Sequence, residues 1–316
     1  MARKLAVVAM GGNSLIRDPS RKSVEDQYEA VCDTVRYIAD LIAAGYQVVI
    51  THGNGPQVGF IMLRSELARQ YAGLHMVPLV SCVADTQGAI GYQIQQALAN
   101  ELRQRGLSGE TATIVTQVTV DPTDPGFDDP SKPVGEFYEP GAVADLKALH
   151  PDWILKQDSG RGFRRVVASP KPVDIVETPA VQTLLDAGFH VVTAGGGGIP
   201  VMDTAQGLLG VDAVIDKDLV TGLLATKLGA PLMVISTAVP CVALNFGTPQ
   251  QQDLGTVKAD QMQIYLEEGH FAPGSMAPKV QAALDFIRAG GERVIITDPQ
   301  TIGKAIDGGA GTHIVP

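Results

Sequence analysis

Cysteine is scarce in this 316-residue chain: Cys32, Cys82 and Cys241 are its three thiols. They share no disulfide or metal-ligand spacing, which excludes a disulfide-stapled fold and points to a reducing cytoplasm. Positive charge is also in deficit. Lys and Arg number 24 against 34 Asp and Glu, a formal net charge of −10. That balance argues against nucleic acid or an anionic membrane as partner. An anionic substrate would need a local cluster of cations, so single lysines carry weight. No apolar run is long enough to span a bilayer, and Leu5–Met10 imitates a signal peptide only until Gly11-Gly12-Asn13 interrupts it. The GxxxxGK[ST] phosphate loop is missing, because no Ser or Thr follows Gly303-Lys304. The dinucleotide fingerprint fails too: Gly53-x-Gly55 meets its third glycine at Gly59, one residue late. Zinc spacing of His with Cys or Glu, and the Gly-x-Ser-x-Gly elbow, do not occur.

What is present is apolar sequence in short runs and glycine in clusters, with 45% hydrophobic residues and 35 glycines. Strands are expected at Leu5–Met10, Gln47–Thr51, Thr113–Val120, Phe189–Thr193, Leu232–Ser236 and Arg293–Thr297. Between them lie helical periods. Val24, Tyr28, Val31, Val35, Ile38 and Ile42 recur at three or four residues, and Gly45 stops that helix. Ile90, Ile94, Leu98 and Leu102 mark another, ending near Gly106. Thr178-Pro179 reads as an N-cap with a first-turn proline, opening a helix closed by Gly188. Helices over Asp218–Leu228 and Lys279–Ala289 complete the series. Such alternation implies a mainly parallel sheet covered on both faces. Residues 121–140 break the rhythm with five prolines and four aspartates. Ordered segments resume on both sides, so a small protruding lobe over about 121–172 is expected.

Three glycine clusters each follow an expected strand: Gly11-Gly12-Asn13, Gly53-Asn54-Gly55 and Gly195-Gly196-Gly197-Gly198. In a parallel sheet they emerge at the carboxyl edge, where ligands bind. Glycine lets backbone N–H groups approach anionic oxygens, and a following helix start adds positive potential. Lys217, between Asp216 and Asp218, and Lys279, after Gly274-Ser275-Met276-Ala277-Pro278, sit at expected helix starts against the macrodipole. That placement suits anion contact. His52 lies between a strand and a glycine loop, where a structural hydrogen-bonding role is commoner than that of a base.

Taken in order, these segments resemble the carbamate kinases of the amino acid kinase family. The likeness runs through Gly11–Asn13, Thr51–Gly59, Thr116–Pro122, Lys132–Gly135, Gly160–Arg164, Ser169–Pro172, Gly195–Pro200, Ala213–Asp218 and His270–Met276. The resemblance implies one α/β domain over 1–316, a three-layer α/β/α sandwich with an open sheet and the protruding lobe. It implies a half for carbamate and carbamoyl phosphate over about 1–212 and a nucleotide half over about 213–316. It implies the reaction ATP + carbamate ⇌ ADP + carbamoyl phosphate with Mg²⁺, in arginine metabolism, by a cytoplasmic homodimer. Lys132, Lys217 and Lys279 would neutralise phosphate oxygens, with Asp216 orienting them. Gly11, Gly12, Asn13, Gly53, Asn54 and Gly55 would hold the reacting groups, with Arg161, Gly196 and Gly197 also at the substrate. Asp218, Thr237, Ala238, Pro273, Gly274 and Met276 would meet the nucleotide, and no residue is assigned as a metal ligand. Thr237-Ala238-Val239-Pro240-Cys241 departs from the family, whose members often carry an acidic and an aromatic residue near 240 and 241. Other readings remain: a family member acting on a different carboxylate or phosphonate, a nucleotide sensor without catalysis, or, more remotely, a nicotinamide oxidoreductase.

Overall fold

The computed structural model describes residues 4–16, 18, 20–158 and 161–316, without the side chain of Asn13. Its frame is an eight-stranded sheet. In spatial order the strands are Thr256–Lys258, Thr312–Val315, Arg293–Thr297, Leu232–Ser236, Leu5–Met10, Gln47–His52, His190–Val192 and Thr111–Thr113. All neighbouring pairs are parallel except Arg293–Thr297 with Thr312–Val315.

The central strand shows why the sandwich forms. All six residues of Leu5–Met10 are buried, so the run is apolar throughout rather than alternating. Leu5, Val7 and Ala9 face one core, with Val220 and Leu224 of helix Lys217–Lys227 and Val280 and Leu284 of helix Met276–Arg288. Ala6, Val8 and Met10 face the other, with Val31, Val35 and Ile38 of helix Val24–Ala43 and Ile90, Ile94 and Leu98 of helix Leu79–Arg105. Period-two strands and helical stripes therefore agree. Helix Val24–Ala43 opens on a capping box, Ser23 Oγ accepting from Asp26 N–H at 3.1 Å and Asp26 accepting from Ser23 N–H at 3.2 Å.

One expected strand is two. Thr111–Thr113 ends the main sheet, while Gln117–Val120 enters a second, four-stranded sheet ordered Gly207–Gly210, Ile199–Thr204, Gln117–Val120, Pro172–Ile175. The β-rich sequence is continuous across the break, but a side chain takes the backbone groups there. Gln87 Oε1 accepts from Thr116 N–H at 2.7 Å, and Gln87 Nε2 donates to Thr116 O at 3.1 Å. Two helix starts also differ from expectation. Glu177, not Thr178, is the N-cap, and Thr178 Oγ1 instead donates back to Ile175 O at 2.8 Å. The last long helix begins at Met276, so Lys279 is its fourth residue.

The 121–172 segment carries its own three-stranded antiparallel sheet, ordered Lys132–Tyr138, Phe163–Val167, Ile154–Gln157, with helix Val143–Leu149. It is tied to the sandwich by ion pairs Lys132–Asp216 (2.7 Å) and Arg165–Asp212, by a hydrogen bond between His150 Nε2 and Glu66 Oε1 at 3.1 Å, and by Val214 N–H donating to Ala168 O at 2.9 Å.

Candidate active site

The strands Leu5–Met10, Gln47–His52 and Leu232–Ser236 run in the same direction, so the segments after them share one edge of the sheet. A cavity of about 400 Å³ opens there, lined by Gly11, Gly12, Gly53, Asn54, Gly55, Thr237 and Ala238. It lies where the chain order turns outward in opposite directions from the central strand, the usual ligand crevice of an open α/β sheet. Three helices begin at its wall, at Gly55, Lys217 and Met276. Asn54 and Ser275, the N-caps of the first and third, make no side-chain capping bond. Pro56 and Pro278 carry no N–H and that of Ala277 donates to Ala272 O at 3.1 Å, so the Gly55 and Met276 N–H groups are left for an anion.

Lys132, Lys217 and Lys279 converge on this cavity from the lobe, the middle of the chain and the C-terminal part. Two aspartates hold them. Asp218 accepts from Lys217 Nζ at 2.6 Å through Oδ1 and from Lys279 Nζ at 2.7 Å through Oδ2. Asp216 accepts from Lys132 Nζ at 2.7 Å through Oδ2, while its Oδ1 accepts the N–H of Asp218 at 2.9 Å and caps the helix. Asp218 is 3% exposed. Burial alone would raise its pKa, but the two ammonium groups outweigh it and hold the carboxyl at about 2. The family resemblance assigns the orienting role to Asp216 and sets Asp218 at the nucleotide; two of the three lysines rest on Asp218. The signal for it is only its adjacency to Lys217, since Lys279 is 61 positions away.

His52 is buried, and its Nδ1–H donates to Gly53 O at 2.9 Å. Burial lowers its pKa to about 4; the bond to Gly53 acts the other way, and Lys217 adds to the lowering. The ring is neutral at pH 7 and makes a poor base. A Cβ on Gly195 would lie 2.3 Å from His52 Nε2, and one on Gly196 would lie 2.1 Å from Asn54 Nδ2. The glycine quartet thus seats side chains of the neighbouring loop. Of its members Gly196 lines the cavity, whereas Gly197 is buried with its Cβ position 2.2 Å from Ile215 O.

The remaining expected residues divide. Gly11, Gly12, Gly53, Asn54, Gly55, Thr237, Ala238 and Gly274 line the cavity, and Asp218 lies in its wall. Thr237 and Ala238 are shared with an adjoining apolar annex of about 200 Å³ that includes Met276, Phe271 and Cys241. Pro273 lines neither space. Arg161 is exposed in the lobe, its guanidinium 4.4 Å from the Phe137 ring centre. Backbone Asn13 follows Gly12 in a short 3-10 turn; its side chain, like Gly160, lies outside the described residues. Ser14 and Ser236 also line the cavity and were not expected there. No composition or period marks either one.

Residues 4–298 match the profile of the amino acid kinase family. The chain belongs to that family. Within it, the chain is 51% identical to the carbamate kinase-like protein YahI of Escherichia coli, covering 99% of both chains. It is 46% identical to the carbamate kinase of Thermococcus kodakarensis, again over 99% of both. Among solved structures, carbamate kinase from Giardia lamblia bound to AMP-PNP superposes with a TM-score of 0.92 at 41% identity, covering 99% of each chain. The amino acid kinase fold expected from the sequence is therefore the observed one, with the nicotinamide oxidoreductase reading set aside.

Proposed function

We propose that this chain is a carbamate kinase, transferring a phosphoryl group reversibly between ATP and carbamate. The observation that carries the reading is the convergence of three lysines from distant segments on one glycine-walled cavity at the sheet's carboxyl edge. Phosphoryl transfer spreads charge over equatorial oxygens, so positioning and electrostatics supply most of the catalysis. Ammonium groups and free helix N–H groups are suited to those oxygens. Carbamate is already an oxygen anion, so the transfer needs no general base, in keeping with a neutral His52. Lys132, Lys217 and Lys279 serve as the catalytic cations, held by Asp216 and Asp218. Gly11, Gly12, Gly53, Asn54 and Gly55 face the reacting groups, and the apolar annex beyond Thr237 and Ala238 suits a nucleoside.

Among the described residues no group of three or more His, Cys, Asp and Glu could hold a metal ion, and the cavity's two aspartates already carry lysines. Magnesium is usually held by substrate phosphates, waters and at most one or two carboxylates, so it enters this reading with the substrate, as the metal–nucleotide chelate. No helix among the described residues is long and apolar enough to cross a membrane. A cytoplasmic homodimer with a place in arginine metabolism completes the reading by family resemblance. Sedimentation at twice the 33.2 kDa chain mass would support the dimer.

The test is ATP formation from ADP, Mg²⁺ and carbamoyl phosphate. Turnover that requires carbamoyl phosphate is the expected result. Nucleotide binding without turnover would leave a sensor, and turnover only with another acyl phosphate would leave a kinase of different acceptor.

A further inference from the structure

Two hydroxyls in the cavity wall take no part in the lysine–aspartate network or the glycine loops. Ser14 is 1% exposed and Ser236 0% exposed, and both residues line the cavity. Neither Oγ has a hydrogen-bond partner among the described residues. Buried hydroxyls are nearly always paired, because an orphaned one forfeits its bonds to water without replacement. Ser236 closes the run Leu232–Ser236, every residue of which is buried, and an apolar side chain would sit there without that penalty. Ser14 ends a 3-10 turn in which its own N–H already donates to Gly11 O at 3.1 Å, so the turn does not need the hydroxyl.

Their positions are related. Strands Leu5–Met10 and Leu232–Ser236 are parallel neighbours, Ala9 opposite Ile235. At their ends the two segments come so close that a Cβ on Gly11 would lie 2.6 Å from Ser236 O. The hydroxyls thus flank a seam with Gly12 and Gly53 on one side and Thr237 and Ala238 on the other. On the kinase reading, this is the line the phosphoryl group crosses. A serine turns from wall to cavity by one change of χ1 rotamer. A hydroxyl offers a directed neutral donor, whereas an ammonium acts as a point charge, so the two kinds of group complement each other around a tetrahedral anion.

We propose that Ser14 and Ser236 are substrate-contacting residues that donate hydrogen bonds to non-bridging oxygens of the transferring phosphoryl group. The proposal deepens the phosphotransfer reading and rests on it. It is tested with Ser14→Ala, Ser236→Ala and the double variant, alongside the wild type. Ligand-free unfolding midpoints should stay unchanged or rise, since each substitution removes an unpaired polar atom. The kcat/KM for carbamoyl phosphate with ADP should fall about tenfold to a hundredfold in each single variant, the loss expected for one hydrogen bond to a charged group. Folded variants retaining kcat/KM within twofold of an active wild type would overturn the contact while leaving the kinase reading intact. If the wild type forms no ATP, calorimetry with AMP-PNP and with inorganic phosphate decides instead. A matching loss of affinity in the double variant would keep the hydroxyl contact and remove the kinase reading; unchanged affinity would remove both.

Discussion

Asp218 spreads one carboxylate over two ammonium groups, and that sharing sets what each partner can do. With its pKa held at about 2 against an ordinary 3.8, it stabilises the fold fully above about pH 4, and that stability is lost as pH falls through about 2. Asp218→Asn leaves Lys217 and Lys279 pressed together without a counter-charge. The variant should lose about 3 kcal/mol, read by chemical denaturation at pH 7, and its stability should vary less between pH 4 and pH 2. Lys217→Ala and Lys279→Ala should each lower kcat by about 10²–10³, by analogy with removing one preorganised donor; near-wild-type turnover by folded variants would take these lysines out of the mechanism. His52 works in the same direction over a higher pH window. Its folded pKa of about 4 lies below its ordinary 6.5, so between those values the unfolded chain binds a proton that the folded one refuses. Stability should therefore drop by roughly 3 kcal/mol from pH 7 to pH 4 on this account, and His52→Gln should flatten that slope in pH-dependent unfolding. Lys217 and Lys279 stood out in sequence because a cation near a helix start opposes the macrodipole, whereas Lys132, at the start of a strand, was marked by the family resemblance alone. Ser14 and Ser236 were not, because a single serine in a turn or at a strand end carries no pattern.

Elements show a division of labour among the glycines that spacing alone conceals. All three clusters follow strands and so read alike, yet they differ in what surrounds them. A Cβ on Gly12 would meet nothing within 4 Å, whereas one on Gly197, at φ +91°, would lie 2.2 Å from Ile215 O. Gly197→Ala should therefore destabilise the protein by about 3 kcal/mol through overpacking and left-handed strain. Gly12→Ala should leave the unfolding midpoint within a degree or two and act instead on kcat/KM, if a phosphoryl oxygen comes close to that backbone. Denaturation and kinetics on the pair separate the two effects. The same blindness to neighbours explains the misread strand over Thr113–Val120. Its β-branched residues favour extended chain throughout, and the side chain that ends the ladder belongs to Gln87, in a helix far back in the sequence.

On the scale of the molecule, the α/β/α sandwich was legible because alternating strands and helices leave few ways to cover a parallel sheet. The lobe was legible only as an interruption; its first strand, Lys132–Tyr138, lies in the proline-rich stretch, and the other two are only four and five residues long. Lys132 is the lobe's contribution to the cavity, and its pairing with Asp216 crosses from lobe to core. The pair is partly exposed, so Asp216→Asn should cost about 1 kcal/mol or less in global stability. It should still loosen the lobe, seen as faster amide exchange along Lys132–Tyr138 with exchange in Leu5–Met10 unchanged. Equal protection of the lobe in variant and wild type would mean that the pair does not tether it.

The wide spacing of Lys132, Lys217 and Lys279 along the chain has a practical corollary. No fragment lacking either the lobe or the final long helix contains the full set of cations, so a truncated or half-refolded sample should be inert rather than partly active. Turnover per milligram then doubles as a gauge of how many molecules in a preparation are intact.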